Sequence, residues 1–266
     1  MALTPVPWPA RIALWFRHSS RVAVDEHEIA MPATFGGGRP LRIAFASDFH
    51  AGPTTPRALL DASVDALAAA QADILLLGGD FVSLRASYAR RLVARLADVP
   101  APLGRYAVLG NHDYWADGPA IVDTLERAGI DVLTNRGVRL PLPFDGAVLS
   151  GLDDHTSGEP DAGAAFEEEA AVRVVLMHAP SGLLDIGERR FDVALCGHTH
   201  GGQVALPGGR PVLVAHGPLS RRYSAGRYDL DRGGVLLVSR GIGCTVLPVR
   251  ANAPAAITVC TLRPGG

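Results

Sequence analysis

The chain predicts a mixed α/β (α+β) fold, two β-sheets with helices on their outer faces. Three observations predict it. Short apolar runs alternate with helix-forming runs in the first half, the second half is mostly candidate strands, and no linker-like tract divides the 266 residues. Hydrophobic residues make up 48% and charged residues 20%, enough apolar material for a sizeable core and too little charge for a disordered chain. Residues 1–40 read as an N-terminal arm carrying the first strand, and 41–266 as the body of a single domain.

Arg21–Met31 partly alternates and reads as a strand, closed by a glycine-rich turn at Gly36–Gly38. Leu41–Ala46 is a short apolar run that suits a buried strand. Thr55 is placed to cap a helix with Pro56 at its first position, and Ala58–Ala70 supplies the helix formers. Asp73–Leu77 and Tyr106–Leu109 read as further buried strands, with a helix at Ala86–Ala97 between them. Pro119–Ala128 reads as a third helix, terminated by Gly129. Strands are then expected at Asp131–Leu133, Ala147–Leu152, Val172–Met177, Asp192–Cys196, Val212–Ala215, Gly234–Ser239 and Ala256–Thr261.

Bulk properties narrow the partners. A formal net charge of -2 gives no electrostatic case for nucleic acid, so none is expected. Cys196, Cys244 and Cys260 show no CxxC spacing and leave one thiol unpaired, which favours a reducing, cytoplasmic compartment and argues against a thiolate zinc site. Cys196 at the end of an apolar run reads as a small buried hydrophobe. No run approaches a membrane span, and the start lacks the order of a signal peptide. Trp8, Trp15 and Phe16 lie among Arg11 and Arg17, a mixture that suits peripheral contact with the inner face of a membrane through residues 1–17. A short helix packed on the domain is the simpler reading, since Pro5, Pro7 and Pro9 break the segment.

The informative pattern is where the strands end. Leu41–Ala46 runs into Ser47-Asp48-Phe49-His50, and Asp73–Leu77 into Gly78-Gly79-Asp80. Tyr106–Leu109 runs into Gly110-Asn111-His112-Asp113, Val172–Met177 into His178, and Asp192–Cys196 into Gly197-His198-Thr199-His200. Open α/β sheets place their sites at the carboxyl ends of strands, so these ends can converge on one crevice. A pair of divalent metals needs about four ligands each and a shared carboxylate between them. Asp48, His50, Asp80, Asn111, His178, His198 and His200 supply that number, with one carboxylate bridging. Alternation in Asp48-Phe49-His50 and His198-Thr199-His200 is expected to place each pair on one side of an extended backbone. Gly79 and Gly110 let backbone pass close to the metals.

Each motif alone is weak, because Asp-x-His arises by chance and Gly-Asp usually marks a turn. Core packing, however, does not favour titratable residues clustered at the ends of apolar strands. The ordered set SDFH, GGD, GNHD, MH and GHTHGG resembles the calcineurin-like metallophosphoesterase superfamily over about 150 residues. The resemblance implies a four-layer αββα sandwich of two mixed β-sheets flanked by helices. It also implies two divalent metal ions, Mn, Fe or Zn. Asp48, His50 and His200 would hold one, Asn111, His178 and His198 the other, and Asp80 would bridge. His112 matches the family's catalytic histidine and Asp113 the acid that orients it. The implied reaction is in-line attack on phosphorus by a hydroxide shared between the metals, with His112 assisting the leaving group.

GDFVSLRAS after the second motif, and GNHD in place of GNHE, speak against the protein serine/threonine phosphatase branch. GHTHGGQ at Gly197–Gln203 and SRGIG at Ser239–Gly243 look like a bacterial phosphodiesterase branch that includes enzymes similar to UDP-2,3-diacylglucosamine pyrophosphatases. The expected substrate is therefore a small phosphoester or a lipid-linked or nucleotide diphosphate. A phosphomonoesterase of the same fold and a non-catalytic scaffold stand as alternatives. Arg221, Arg222 and Arg250 are candidate phosphate contacts, whereas Asp153, Asp154 and His155 read more simply as a solvated turn. Nothing in the residues reads on oligomeric state.

Overall fold

Period-two alternation along the strands sorts the apolar side chains to opposite faces, and the layers follow from that. In the computed structural model, which describes residues 21–231 and 233–265, Ile43 and Phe45 point to one side of their strand and Ala44 and Ala46 to the other. Ile74 and Leu76 likewise oppose Leu75 and Leu77.

Two six-stranded mixed sheets result. The first has the order β1-β12-β2-β3-β4-β5, built from Ala23–Met31 (β1), Ala256–Pro264 (β12), Leu41–Ala46 (β2), Ile74–Leu77 (β3), Arg105–Ala107 (β4) and Asp131–Val132 (β5). Strands β2 to β5 are mutually parallel; β12 runs antiparallel to β2 and parallel to β1. The second has the order β10-β11-β9-β8-β7-β6, from Gly226–Asp229 (β10), Val235–Val238 (β11), Val193–Cys196 (β9), Val172–Leu176 (β8), Ala147–Gly151 (β7) and Arg136–Arg139 (β6). Its four central strands are parallel and both edge strands antiparallel.

Ile43, Phe45, Leu76 and Val108 from the first sheet meet Leu149, Val174, Leu195 and Leu237 from the second in one buried layer. The outer face of the first sheet is covered by helices Arg57–Ala69 (α1), Ala89–Ala97 (α2) and Asn111–Arg127 (α3), through Leu59, Leu67, Leu92, Leu96, Ile121 and Leu125. The second sheet's outer face packs on the short helices Ala162–Ala165 (α4) and Gly182–Ile186 (α5). This is the four-layer sandwich that the resemblance implies.

Four local expectations are corrected. Val212–Ala215 is irregular, and β10 forms the edge instead; β6 and β10 lack the continuous apolar run that marks a buried strand. Helix α1 starts one residue later than Thr55 and Pro56 suggest, because the Thr55 hydroxyl accepts from the Cys244 amide and is not free to cap. Helix α3 begins at Asn111, eight residues earlier than Pro119 suggests, with a break at Asp117. Its first turn forms because the Asp113 carboxylate accepts from the Gly110 amide, closing the helix start on itself. All three cysteines are free and buried, and Cys196 sits in the outer core of the second sheet. The aromatic N-terminal segment lies outside the described residues. Among the described residues, no helix is long and apolar enough to cross a membrane.

Candidate metal centre

Parallel strands carry the chain in one direction, so the carboxyl ends of β2, β3 and β4 in one sheet and β8 and β9 in the other meet at one edge. Amides of Asp48 and His50 bond the carbonyls of Gly79 and Asp80 at 2.9 Å, and the Gly197 amide bonds the His178 carbonyl at 2.8 Å. Across the sheets, both oxygens of Asp48 accept from the His198 amide at 3.0 Å. Four of the strand ends are thereby tied together, by backbone within each sheet and by the Asp48 carboxylate between the sheets, and the seven candidate ligands are buried.

The backbone does not stay extended past the strands, contrary to the expectation for the two triplets. Asp48, His50, Asp80, His198 and His200 have φ between 45° and 70°. A left-handed conformation is costly for residues with a Cβ, of order 1–3 kcal/mol each, and persists only where the surroundings hold it. Here it turns Asp48 and His50, and His198 and His200, to the same side after strands that have already ended. Gly110 has a steric reason: a Cβ there would overlap Asp80 Oδ1 and His178 Cε1.

All seven candidate ligands come together. Asp48, His50 and His200 form one group able to hold a metal ion, and Asp80, His178 and His198 a second, the ligand atoms in each lying within 4.8 Å of one another. Asp80 stands between them, its Oδ2 3.4 Å from His50 Nε2 and 3.5 Å from His178 Nε2. Asn111 Oδ1 is 3.2 Å from His178 Nε2.

The tautomers decide what this space wants. His178 donates Nδ1–H to the Gly78 carbonyl at 2.7 Å, and His198 donates Nε2–H to the His216 carbonyl at 2.8 Å. In the neutral rings the other nitrogen is then a lone pair. These two lone pairs face each other at 3.2 Å, beside the oxygens of Asp80 and Asn111. Acceptors converging on acceptors in a buried space repel unless a cation lies among them, and carbonyl-anchored imidazoles are the usual ligand arrangement. On the other side, His50 Nε2 lies 3.1 Å from His200 Nε2, and His50 Nδ1 is buried without a hydrogen-bond partner. The residues present therefore fit a pair of divalent ions held by nitrogen and oxygen.

The charges agree. Burial pushes the Asp48 carboxyl up to about 6 and the His50 imidazole down to about 3. Burial works against the His178 imidazolium, but the Asp80 carboxylate outweighs it and holds His178 well above the usual histidine range. In the metal-free protein a proton therefore occupies His178, and below pH about 6 another occupies Asp48. Metal must displace both, so affinity is expected to rise with pH and metal to be released as pH falls through about 6. Metal retained after desalting, measured by elemental analysis between pH 8 and pH 5, checks this; a flat profile would contradict it.

His112 sits at the first turn of α3, half-buried, with a ring nitrogen within 4.8 Å of ligand atoms of His50 and Asp80. Its amide donates to Asp80 Oδ1 at 2.9 Å, and its Nδ1 faces the Ser83 carbonyl at 3.2 Å. Asp113 does not orient it, which corrects the role carried over from the resemblance. Both Asp113 oxygens are taken by backbone amides, those of Phe81, Val82 and Gly110. Asp113 thus ties the loop after β3 to the start of α3, and the Ser83 carbonyl meets the imidazole.

The profile of the calcineurin-like phosphoesterase family matches residues 41–202, the span that carries all five strand ends. The chain belongs to this family. Uncharacterized metallophosphoesterase YkuE of Bacillus subtilis is 27% identical over 248 residues, covering 91% of this chain and 86% of that protein. Phosphodiesterase YaeI of Escherichia coli is 30% identical over 231 residues, covering 84% and 82%. A Bos taurus transmembrane protein with a metallophosphoesterase domain is 30% identical over 241 residues, covering 84% of this chain and 53% of that protein. Members of the family use a dinuclear divalent metal centre, and the Asp and His residues of this phosphoesterase are positioned to bind metal.

The three arginines do not gather in the site as a group. Arg250 is turned inward, donating to the carbonyls of Gly243 and Ala253 and lying 3.1 Å from His200 Nδ1. It props His200 from behind. Arg221 and Arg222 are exposed, and the Arg222 guanidinium lies 5.2 Å over the Tyr223 ring, beside a separate cavity lined by Leu183, Arg189 and Phe191. Asp153 and Asp154 are buried, not solvated: Asp153 accepts from the Tyr114 hydroxyl, and one Asp154 oxygen takes the Thr156 and Ser157 amides. Two neighbours of His112 escaped the sequence reading. The Ser83 carbonyl leaves no mark in a sequence, but Trp115, whose ring centroid lies 4.7 Å from that of His112, was signalled by an aromatic three residues after the motif histidine.

Proposed function

We propose that the phosphoesterase hydrolyses phosphodiester bonds of small substrates, with Asp48, His50, Asp80 and His200 holding one divalent ion and Asp80, Asn111, His178 and His198 the other. The observation that carries this reading is the convergence of His178 Nε2, His198 Nδ1, Asp80 and Asn111 on one buried space, with the far nitrogen of each imidazole bonded to a backbone carbonyl. The resemblance to a protein named as a phosphodiesterase supports the diester over the monoester.

When bound, the two ions supply a water acidic enough to yield hydroxide near neutral pH and compensate the phosphoryl oxygens. The chain's own residues do the rest. Asp80 and the carbonyl-anchored histidines keep the ligand atoms in place without reorganisation. His112, with Nδ1–H held on the Ser83 carbonyl, presents Nε2 to the departing oxygen and, as an imidazolium, gives it the Nε2 proton and is left neutral. Arg250 holds the position of His200. The left-handed turns at the ligands are the backbone cost of this preorganisation.

The test is hydrolysis of bis-p-nitrophenyl phosphate against p-nitrophenyl phosphate by metal-free protein reconstituted with Mn²⁺. Metal-dependent cleavage with the diester preferred is expected, and a lipid-linked nucleotide diphosphate is the next substrate to assay. Preference for the monoester would move the assignment to a phosphatase.

A further inference from the structure

Beside His112 the rim of the site changes character from polar to apolar. Trp115 lies on the same helical turn, its ring tilted 50° to the imidazole at a centroid distance of 4.7 Å. One part of the indole rests on His112, yet the residue is 65% exposed. Its exposed surface beside the proton donor is open to a ligand, and burying such a ring is a main source of binding energy. Leu84, also 65% exposed, follows the residue whose carbonyl holds His112. The metal ligands are buried, whereas Trp115 beside His112 is open to solvent.

We infer that Trp115 forms the platform for a planar aromatic group carried by the leaving half of the substrate. The inference rests on the proposed diester hydrolysis in one respect: His112 as proton donor marks the side on which the leaving group departs. Tilted stacking on an indole face suits a flat ring, such as a nucleobase, better than a flexible chain. Trp115 acts on specificity and takes no part in proton transfer.

Binding of phosphonates to Mn²⁺-loaded protein tests this without turnover, by calorimetry. Wild type is expected to bind phenylphosphonate roughly 3- to 10-fold more tightly than methylphosphonate, the size of one aromatic contact. Trp115→Ala is expected to abolish that preference and leave methylphosphonate affinity unchanged, while Trp115→Phe keeps most of it. Equal binding of the two ligands by wild type would overturn the platform. So would equal weakening of both by Trp115→Ala, which would reduce Trp115 to a support for His112, or tighter binding of octylphosphonate than of phenylphosphonate. An aryl preference in a protein that cleaves no diester would sink the hydrolysis reading and leave the platform standing.

Discussion

Asp80→Asn is expected to strip both metal positions and abolish hydrolysis. Asp80 places one oxygen near histidines of both ligand groups, with Oδ2 at 3.4 Å from His50 and 3.5 Å from His178. It is 1% exposed, so its charge is tolerated only against a cation or imidazolium. The His178 imidazole outweighs the burial penalty and holds the Asp80 carboxyl well below the usual range, so in the metal-free protein the carboxylate is ready to bind. Asparagine keeps the volume and the acceptor for the His112 amide but removes the bridging charge. Loss of an outer-shell partner already costs about 10- to 100-fold in metal affinity, so loss of the bridge should exceed about 100-fold. Elemental analysis after dialysis should find less than one ion per chain where the wild type keeps two. Unchanged metal content would refute the bridging role.

His112→Ala should do the opposite, keeping metal and losing turnover by ~10²–10⁴, the usual worth of a positioned general acid. The protein has reason to fold normally: alanine suits a helical turn, and the contact to Asp80 runs through the His112 amide, which the substitution leaves in place. The loss should be steepest for diesters with poor leaving groups and shallow for p-nitrophenyl esters, because a good leaving group needs no proton. Two outcomes would remove the assignment. Full activity with poor leaving groups would rule out proton donation, and loss of metal would make His112 a ligand, a role its closeness to His50 and Asp80 allows.

These contrasting expectations for residues only 2.9 Å apart, amide to carboxylate, show how finely the start of α3 divides its tasks. Asn111 turns to the metal space, His112 to the rim, and Asp113 back into the loop after β3. A single helical turn presents three consecutive side chains in three directions. That is why the chain's Asn-His-Asp run serves three purposes, and why Asp113, the orienting acid that the resemblance implied, bonds backbone amides instead.

The sequence by itself determined the kinds of ligand atom, their order and the strand ends that carry them, because a buried strand needs a local apolar run and the ligand types needed for metal sit beside it. The two sheets with helices outside them were legible from the order of apolar runs and helix-forming runs, but which face each residue of Leu41–Ala46 and Ile74–Leu77 takes was not, because those runs are almost wholly apolar. Tertiary structure alone decided the rest. Which nitrogen of His178 or His198 is a lone pair depends on the Gly78 and His216 carbonyls, and every residue carries a carbonyl. The left-handed turns at Asp48 and His200 occur at residue types that adopt them only in a minority of positions, so the surrounding contacts and not residue type decide them. Arg250 behind His200, and Trp115 over His112, were placed by contacts between elements far apart in the chain or by the rotation of one helical turn, which residue order does not record.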